Sequence, residues 1–437
     1  MNRIQTRGNI PLCGEVTIQG AKNAALPLMA AAVLHRGTTV LHRCPQILDV
    51  EYMSGILRGL GCTVRREGQT LIIDAREISD FCVAAQPATC LRASVLLMGS
   101  LLGRCGCARL PYPGGCTIGE RPIDLHLQVF ERMGAQILPE EEGIGVYAGK
   151  GCAKEPGCAR ADGAAPPDRA RLQGCSLRLS FPSVGATENA ILGAVLAEGT
   201  TELDGCATEP EIAELCRFLN QKGAKIEGVG RQRLVITGVT CLQDSQYTLM
   251  PDRIVAGTYL LAAAGTRGRI SVRGVCPEHL GALTEVLQKS GAKLKTGRDV
   301  ICMDAREAYL PVSSVRTEPY PGFPTDLQSQ LMVFLTGARG VSTLEERLFE
   351  SRFLIAGELQ KMGAELAIHG RLAVIKGTCG LRGAIVQARE LRGGAALVAA
   401  GLMAEGETLV LDSHFIKRGY EDICRDLSGL GADIKEL

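Results

Sequence analysis

The sequence predicts an α/β protein, a two-domain inside-out α/β barrel in which helices fill each interior and sheets wrap around them. Two observations carry that reading. One helix–strand–helix–strand–strand unit recurs six times along the chain, and the Ala-rich helices of that unit are apolar on nearly every side. A helix without a polar face belongs in an interior, so the strands must cover it. Six units then pack most simply as two domains of three.

The repeat is marked twice. A Gly-Ala-like break before a charged, strand-like stretch falls at Gly61, Gly134, Gly223, Gly291, Gly363 and Gly431, as in KGAKIEGVGRQRLVITG and MGAELAIHGRLAVIKG. A second glycine, which ends an apolar helix and opens a strand, precedes each: Gly37, Gly103, Gly199, Gly268, Gly340 and Gly406. Between the two markers lies one strand and an amphipathic helix. Two intervals are long. One surplus falls on Pro113–Pro122, PGGCTIGERP, whose glycines and lone cysteine read as a ligand-approaching loop with a thiolate-favouring cation, Arg121, nearby. The other is the Gly/Ala/Pro/Arg-rich stretch 149–174, read as an irregular surface loop without assigned function.

Composition bounds the function. The 437 residues are 46% hydrophobic and 22% charged with a net charge of +1, which gives no electrostatic case for nucleic acid or a membrane surface. No apolar run is long enough to span a bilayer, and the first twenty residues lack a signal-peptide core, so the expected compartment is the cytoplasm. The eighteen cysteines contain no CxxC pair, and the isolated Cys105–Cys107 lacks a second half for a metal site. Most, including Cys62, Cys90, Cys206, Cys216 and Cys302, read as small core hydrophobes. Six scattered histidines offer no ligand pair, and no metal is expected.

Polar residues gather where the apolar helices begin: Lys22 and Asn23, Arg92, Ser183 with Gly185, Asp252 with Arg253, Asp326, and Glu390 with Arg392. Asn23, Ser183 and Asp252 are natural N-caps, and a helix head with nearby cations is an anion site. Any one of these is ordinarily a cap or a surface charge. Their recurrence at equivalent places, beside a loop inserted into only one unit, points to a substrate bearing phosphate or carboxylate.

GAKNAALP, LRASVLLMGSLL, PGGCTIGERPIDLHL, SVGATENAIL, FPTDLQSQ, FESRF, ELRGGAALV and RGYEDI, in this order, resemble the UDP-N-acetylglucosamine 1-carboxyvinyltransferase family over essentially the whole chain. The resemblance implies two inside-out domains, one from Ala21 to Cys241 and one made of residues 1–20 and 242–437. It implies transfer of the enolpyruvyl group of phosphoenolpyruvate to the 3′-hydroxyl of UDP-N-acetylglucosamine, the first committed step of peptidoglycan synthesis, with no cofactor and no obligate protein partner. Cys116 would be the proton donor that forms an adduct with phosphoenolpyruvate and is alkylated by fosfomycin. Lys22 would lie beside phosphoenolpyruvate and Asn23 beside the sugar nucleotide. Arg92, Arg121, Pro122, Ile123, Asp124 and Leu125 would hold sugar nucleotide and phosphates, while Ser183, Val184 and Gly185 line the uridine diphosphate. Asp326 would face the sugar 3′-hydroxyl with Leu348 nearby; Arg392 and Arg418 would hold phosphoenolpyruvate. Two departures stand out: Glu390 replaces the family's aspartate and Gly393 a common alanine. The alternatives are a 3-phosphoshikimate enolpyruvyl transferase, which lacks the PGGC loop, and a non-catalytic paralogue that binds the sugar nucleotide.

Overall fold

The computed structural model describes residues 2–85, 90–112, 122–141, 143–149, 171–377 and 380–437. The chain forms two compact units, one from Gly20 to Met250 and one that joins the first nineteen residues to Pro251–Leu437. The second crossing point therefore lies nine residues beyond the expected Cys241. Residues 242–250 stay with the first unit because Ser245–Thr248 pairs in parallel with Thr38–His42.

Each unit has three inner helices, labelled here α1 (Lys22–Ala32), α2 (Leu97–Cys105) and α3 (Val184–Ala194) in the first, and α4 (Arg253–Gly265), α5 (Gln328–Thr336) and α6 (Leu391–Met403) in the second. They are apolar all round and correspondingly buried: every residue of α5 is, and all but the first two residues of α1. Outer helices such as Gly281–Lys289, in which Leu283, Val286 and Leu287 are buried, carry one buried stripe.

The marker glycines after the outer helices explain the repeat physically. All six, from Gly61 to Gly431, have φ between 85° and 103°, the left-handed conformation that closes a helix and that a side chain resists. The upstream markers are less uniform. Gly103 lies inside α2, which stops instead at Gly106 with φ of 71°. At Gly268 the left-handed residue is its neighbour Arg267, and glycine is required because a Cβ there would fall 2.1 Å from the Leu12 carbonyl oxygen.

The strands form separate sheets, not one continuous hydrogen-bonded barrel in each unit. In each repeat the strand after the inner helix pairs antiparallel with the last strand, which pairs antiparallel with the middle one; five of the six sheets add a parallel strand from outside the repeat, and among the described residues the sheet of the second repeat has three strands only. Sheet bonding stops there, since no sheet spans more than one repeat plus one such added strand. The truncated sixth repeat is completed from the other end of the chain: Arg3–Arg7 lies between Glu407–Leu411 and Asp433–Glu436, antiparallel to both. Cys13–Thr17 then supplies the borrowed strand of the fourth repeat.

The closing strand of the first unit is pinned by a buried cation. Lys222 Nζ donates to Thr39 Oγ1 at 2.8 Å and to Ser245 Oγ at 3.3 Å, so it ties Ser245–Thr248 to its neighbour. Burial pushes the Lys222 ammonium down to about 8, against the pull of Asp244. A lysine lowered on folding penalises the fold fully below pH 8, and the penalty fades as pH rises through the window from about 8 to its ordinary 10.5. Lys222→Met is therefore expected to gain thermal stability over wild type at pH 7, and that gain should shrink by pH 10. Thermal melts of both proteins across this range check the sign.

Of the thiols read as core, Cys62, Cys206 and Cys216 are buried, and burial pushes each up to about 12. Cys90 and Cys302 are exposed. Cys302 occupies an outward position in Val300–Asp304, whose residues alternate in burial, so apolar neighbours in sequence do not imply burial on a strand.

Candidate active site

In the first unit Lys22 is the first residue of α1 and Asp49 lies in the first turn of the outer helix Leu48–Gly59. Their charges meet, Lys22 Nζ to Asp49 Oδ2 at 2.5 Å, with the carboxylate only 1% exposed. The lysine charge is thus oriented by a buried anion from another element. Asn23 is not the N-cap: Ala21 is, in an extended conformation without a side-chain bond, and Asn23 sits one residue inside the helix. Ser183 does cap α3, its Oγ accepting from the Ala186 N–H, so Val184 and Gly185 begin the helix as expected.

Ile123, Asp124 and Leu125 form the head of the helix Asp124–Arg132 and follow Pro122, which is exposed. Two residues that the sequence reading passed over join this head to the other two. Asn189, fully buried in α3, accepts from the Gly99 N–H at 2.9 Å; that donor fixes the amide orientation. Its Nδ2 then donates to the Val95 carbonyl at 3.0 Å and to His126 Nδ1 at 2.7 Å. His126 is consequently neutral with its proton on Nε2, and a Cβ at Gly185 would lie 3.0 Å from its Cε1. Arg92 opens the short 3₁₀ turn Arg92–Leu96 that carries Val95. The heads bearing Arg92, Ile123–Leu125 and Ser183–Gly185 therefore converge through one asparagine and one histidine. Cys116 and Arg121 lie outside the described residues, as do 150–170 of the second long insertion.

In the second unit Asp326 belongs to the 3₁₀ turn Thr325–Leu327 ahead of α5 and receives two arginines. Arg352 Nη2 donates to Oδ1 at 2.7 Å and Arg392 Nη2 to Oδ2 at 3.1 Å. Both guanidinium side chains are under 5% exposed. Burial works against the Arg392 charge, yet Asp326 and the Tyr420 hydroxyl outweigh it and the pKa is raised. Arg352 Nε and Arg392 Nη1 are buried donors with no hydrogen-bond acceptor among the described residues. Such donors are costly to leave unmet, and two beside one carboxylate suit a second anion. Arg352 was not singled out from the sequence, although the quoted FESRF contains it.

Leu348 is tied to the same turn. Glu346, fully buried, accepts the N–H groups of Leu348 and Phe349 on Oε1 and the Thr325 hydroxyl on Oε2. Arg418 ends the 3₁₀ segment Ser413–Arg418, two residues before Tyr420.

The departures at 390 and 393 fit each other. Glu390 is the N-cap of α6, its carboxylate accepting from the N–H groups of Arg392 and Gly393. A Cβ at Gly393 would lie 2.7 Å from Glu390 Oε1 and 2.7 Å from Ile355 Cγ2. The longer glutamate occupies space that alanine would need. Gly393→Ala alone should destabilise by about 1–3 kcal/mol, and Glu390→Asp should recover part of that loss in the double variant. Melting temperatures of the two single variants and the double variant measure the coupling.

Among the described residues the one group of three potential metal ligands is Cys276, Glu278 and His279, with ligand atoms within 4.8 Å of one another. They belong to the segment around the 3₁₀ turn Pro277–Leu280 and share no residue with the helix heads above.

The sequence and the fold match known proteins. The family model for EPSP synthase (3-phosphoshikimate 1-carboxyvinyltransferase) matches residues 6–427. Relatives include UDP-N-acetylglucosamine 1-carboxyvinyltransferase 2 of Caldanaerobacter subterraneus subsp. tengcongensis, 44% identical over the full length of both chains. The UDP-N-acetylglucosamine 1-carboxyvinyltransferase of Granulibacter bethesdensis is 42% identical, again over all of both. In fold, the enolpyruvyl transferase NikO from Streptomyces tendae superimposes with a TM-score of 0.85 at 24% identity, covering 100% of this chain and 98% of that one. EPSP synthase from Acinetobacter baumannii gives 0.70 at 17% identity over the whole of both chains. The chain is an enzyme of the EPSP synthase family of carboxyvinyltransferases. Within that family it belongs with the UDP-N-acetylglucosamine 1-carboxyvinyltransferases.

Proposed function

We propose that this enzyme transfers the enolpyruvyl group of phosphoenolpyruvate to the 3′-hydroxyl of UDP-N-acetylglucosamine and releases phosphate, the first committed step of peptidoglycan synthesis. The observation that carries the reading is the pair of buried arginines on Asp326 with donors left over, which suits an acidic substrate beside that carboxyl group. Both substrates are soluble cytoplasmic metabolites, and no helix among the described residues is long and apolar enough to cross a membrane.

The sugar hydroxyl oxygen adds to C2 of phosphoenolpyruvate while C3 gains a proton; the C2–O bond to phosphate then breaks and C3 loses a proton, restoring the enol ether. In this reading Cys116 supplies the C3 proton and forms the thioether-type adduct, which also makes it the site of fosfomycin alkylation. Lys22, Arg121, Arg392 and Arg418 neutralise the phosphate and carboxylate, charge that grows on the leaving group. Asn23, Arg92, Pro122–Leu125 and Ser183–Gly185 hold the sugar nucleotide, with the α3 head offering its N–H groups to the diphosphate. Asp326, held by two arginines, accepts a hydrogen bond from the 3′-hydroxyl and orients the nucleophilic oxygen, with Leu348 beside it. None of these steps calls on a metal or organic cofactor.

The family model's own description favours shikimate 3-phosphate as the competing acceptor. Mass spectrometry after incubation with phosphoenolpyruvate tests the chemistry common to Cys116. One adduct on Cys116 is expected; an adduct on another cysteine, or none at saturating substrate, would remove the thiol from the mechanism. The described thiols Cys62, Cys206, Cys216 and Cys424, all pushed up to about 12 by burial, are poor competitors.

A further inference from the structure

We infer that Cys276, Glu278 and His279 form a binding site for one zinc-class divalent cation, separate from the residues assigned to the transfer reaction. The three fall in the run Cys-Pro-Glu-His, which holds no second cysteine or histidine, so sequence spacing did not mark it. Their geometry does. The thiol sulfur, a carboxylate oxygen and an imidazole nitrogen all lie within 4.8 Å of one another. Nearness along the chain does not by itself produce this, since in an extended segment Glu278 and His279 would point to opposite sides. The 3₁₀ turn Pro277–Leu280 gathers them instead. Proline opens it with φ already set, and the His279 N–H donates to the Cys276 carbonyl at 3.0 Å. Three residues per turn then bring Cys276 and His279 to the same side.

The donor set selects the ion. A thiolate, an imidazole and a carboxylate together suit zinc, whereas magnesium and calcium favour oxygen ligands alone. Zinc bonds of about 2.0–2.3 Å place tetrahedral ligand atoms about 3.5 Å apart. The three atoms need therefore close by no more than about 1.3 Å, which rotamer changes of the exposed Glu278 and half-buried Cys276 and His279 supply. Glu278 and His279 also line a cavity of about 40 Å³, with room for a water as fourth ligand. Arg253 is in the cavity wall, its guanidinium carbon 5.8 Å from the centre of the Tyr320 ring. That charge opposes a bare dication, but a thiolate and a carboxylate cancel the ion's two charges and leave the set neutral. Pro324 and Leu327 in the same wall flank Thr325 and Asp326, so the ion sits beside the Asp326 turn without using its side chains. On binding, the Cys276 thiol gives its proton to solvent as the sulfur–zinc bond forms, with no change of oxidation state.

Zinc titration of the full-length enzyme, with thiols reduced and metal first removed by a chelator, tests the site. Loss of an outer-shell partner alone weakens metal binding about 10- to 100-fold, so loss of a ligand should cost at least as much. Wild type should bind one equivalent of zinc that Cys276→Ala and His279→Gln each bind at least about tenfold more weakly. Glu278→Gln, which is exposed and close in shape, should weaken it in the same direction and decides the matter if another variant fails to fold. Zinc should also raise the melting temperature of wild type more than that of Cys276→Ala, and magnesium should raise neither. Cobalt(II) in place of zinc should give a thiolate-to-metal charge-transfer band in wild type that Cys276→Ala loses. Two controls, Cys302→Ala at an exposed thiol elsewhere and Cys116→Ser in the loop, should keep both the band and the affinity. The inference is overturned if wild type takes up no zinc, or if Cys276→Ala or His279→Gln binds it as tightly as wild type. Loss of the band in Cys116→Ser, with Cys276→Ala unaffected, would overturn it as well. These readouts are a metal affinity and a spectrum, so they decide the site whichever acceptor the transfer reaction uses.

Discussion

Arg352→Ala is expected to lower kcat/KM by about 10²- to 10³-fold, because it breaks a buried ion group from one side. The Asp326 carboxylate would lose the 2.7 Å donor that holds Oδ1 in place while keeping Arg392 on Oδ2. The misplacement reaches the nucleophile if Asp326 orients the sugar hydroxyl. Stability should fall as well, since Arg352 is 4% exposed and packs its guanidinium 5.7 Å from the Phe349 ring. Asp326→Asn provides the second measurement: it keeps the shape and removes the charge that balances two arginines. Both variants should lose turnover; a fully active Arg352→Ala would show that the arginine serves packing only.

The second large effect concerns Lys22. Lys22→Ala removes the cation facing Asp49, a carboxylate that is 1% exposed, and the cost of breaking such a pair is about 3–5 kcal/mol. Adding Asp49→Asn should restore much of the stability, because the buried charge is then gone too. Turnover should not return, since no neutral pair supplies a cation for phosphoenolpyruvate. Melting temperature and kcat/KM measured on the single and double variants separate the two roles of Lys22. Recovery of activity in the double variant would mean that Lys22 serves the fold alone.

The repeat was legible because its punctuation is steric. Gly61, Gly134, Gly223, Gly291, Gly363 and Gly431 hold a backbone conformation that other residues resist, so the pattern survives wherever the flanking sequence differs. The apolar helices were legible for a similar reason, since nothing on their surfaces could face water. What the residues did not disclose was non-local. Nothing in RIQTR announces that it completes a sheet with residues more than 400 positions away, and nothing in SQYT shows that it pairs with TTVLH. The boundary at Met250 follows from that second pairing.

The candidate site divides along the same line. Ser183 and Glu390 act at their helix ends through contacts two or three residues away, which spacing reveals. Asn23 misled because an asparagine near a helix start resembles a cap, while the backbone turns helical one residue earlier. Arg352, Asn189, His126 and Tyr420 act on partners 26, 94, 63 and 162 residues distant. All four stood inside the motifs FESRF, SVGATENAIL, PIDLHL and RGYEDI.

Acceptor choice tests the functional account most directly. Phosphate release from phosphoenolpyruvate should be measured with purified enzyme and, separately, UDP-N-acetylglucosamine or shikimate 3-phosphate at saturating concentration. Turnover with the sugar nucleotide and none with shikimate 3-phosphate is the predicted result. Turnover with shikimate 3-phosphate alone, or sugar-nucleotide binding without phosphate release at any enzyme concentration, would contradict it.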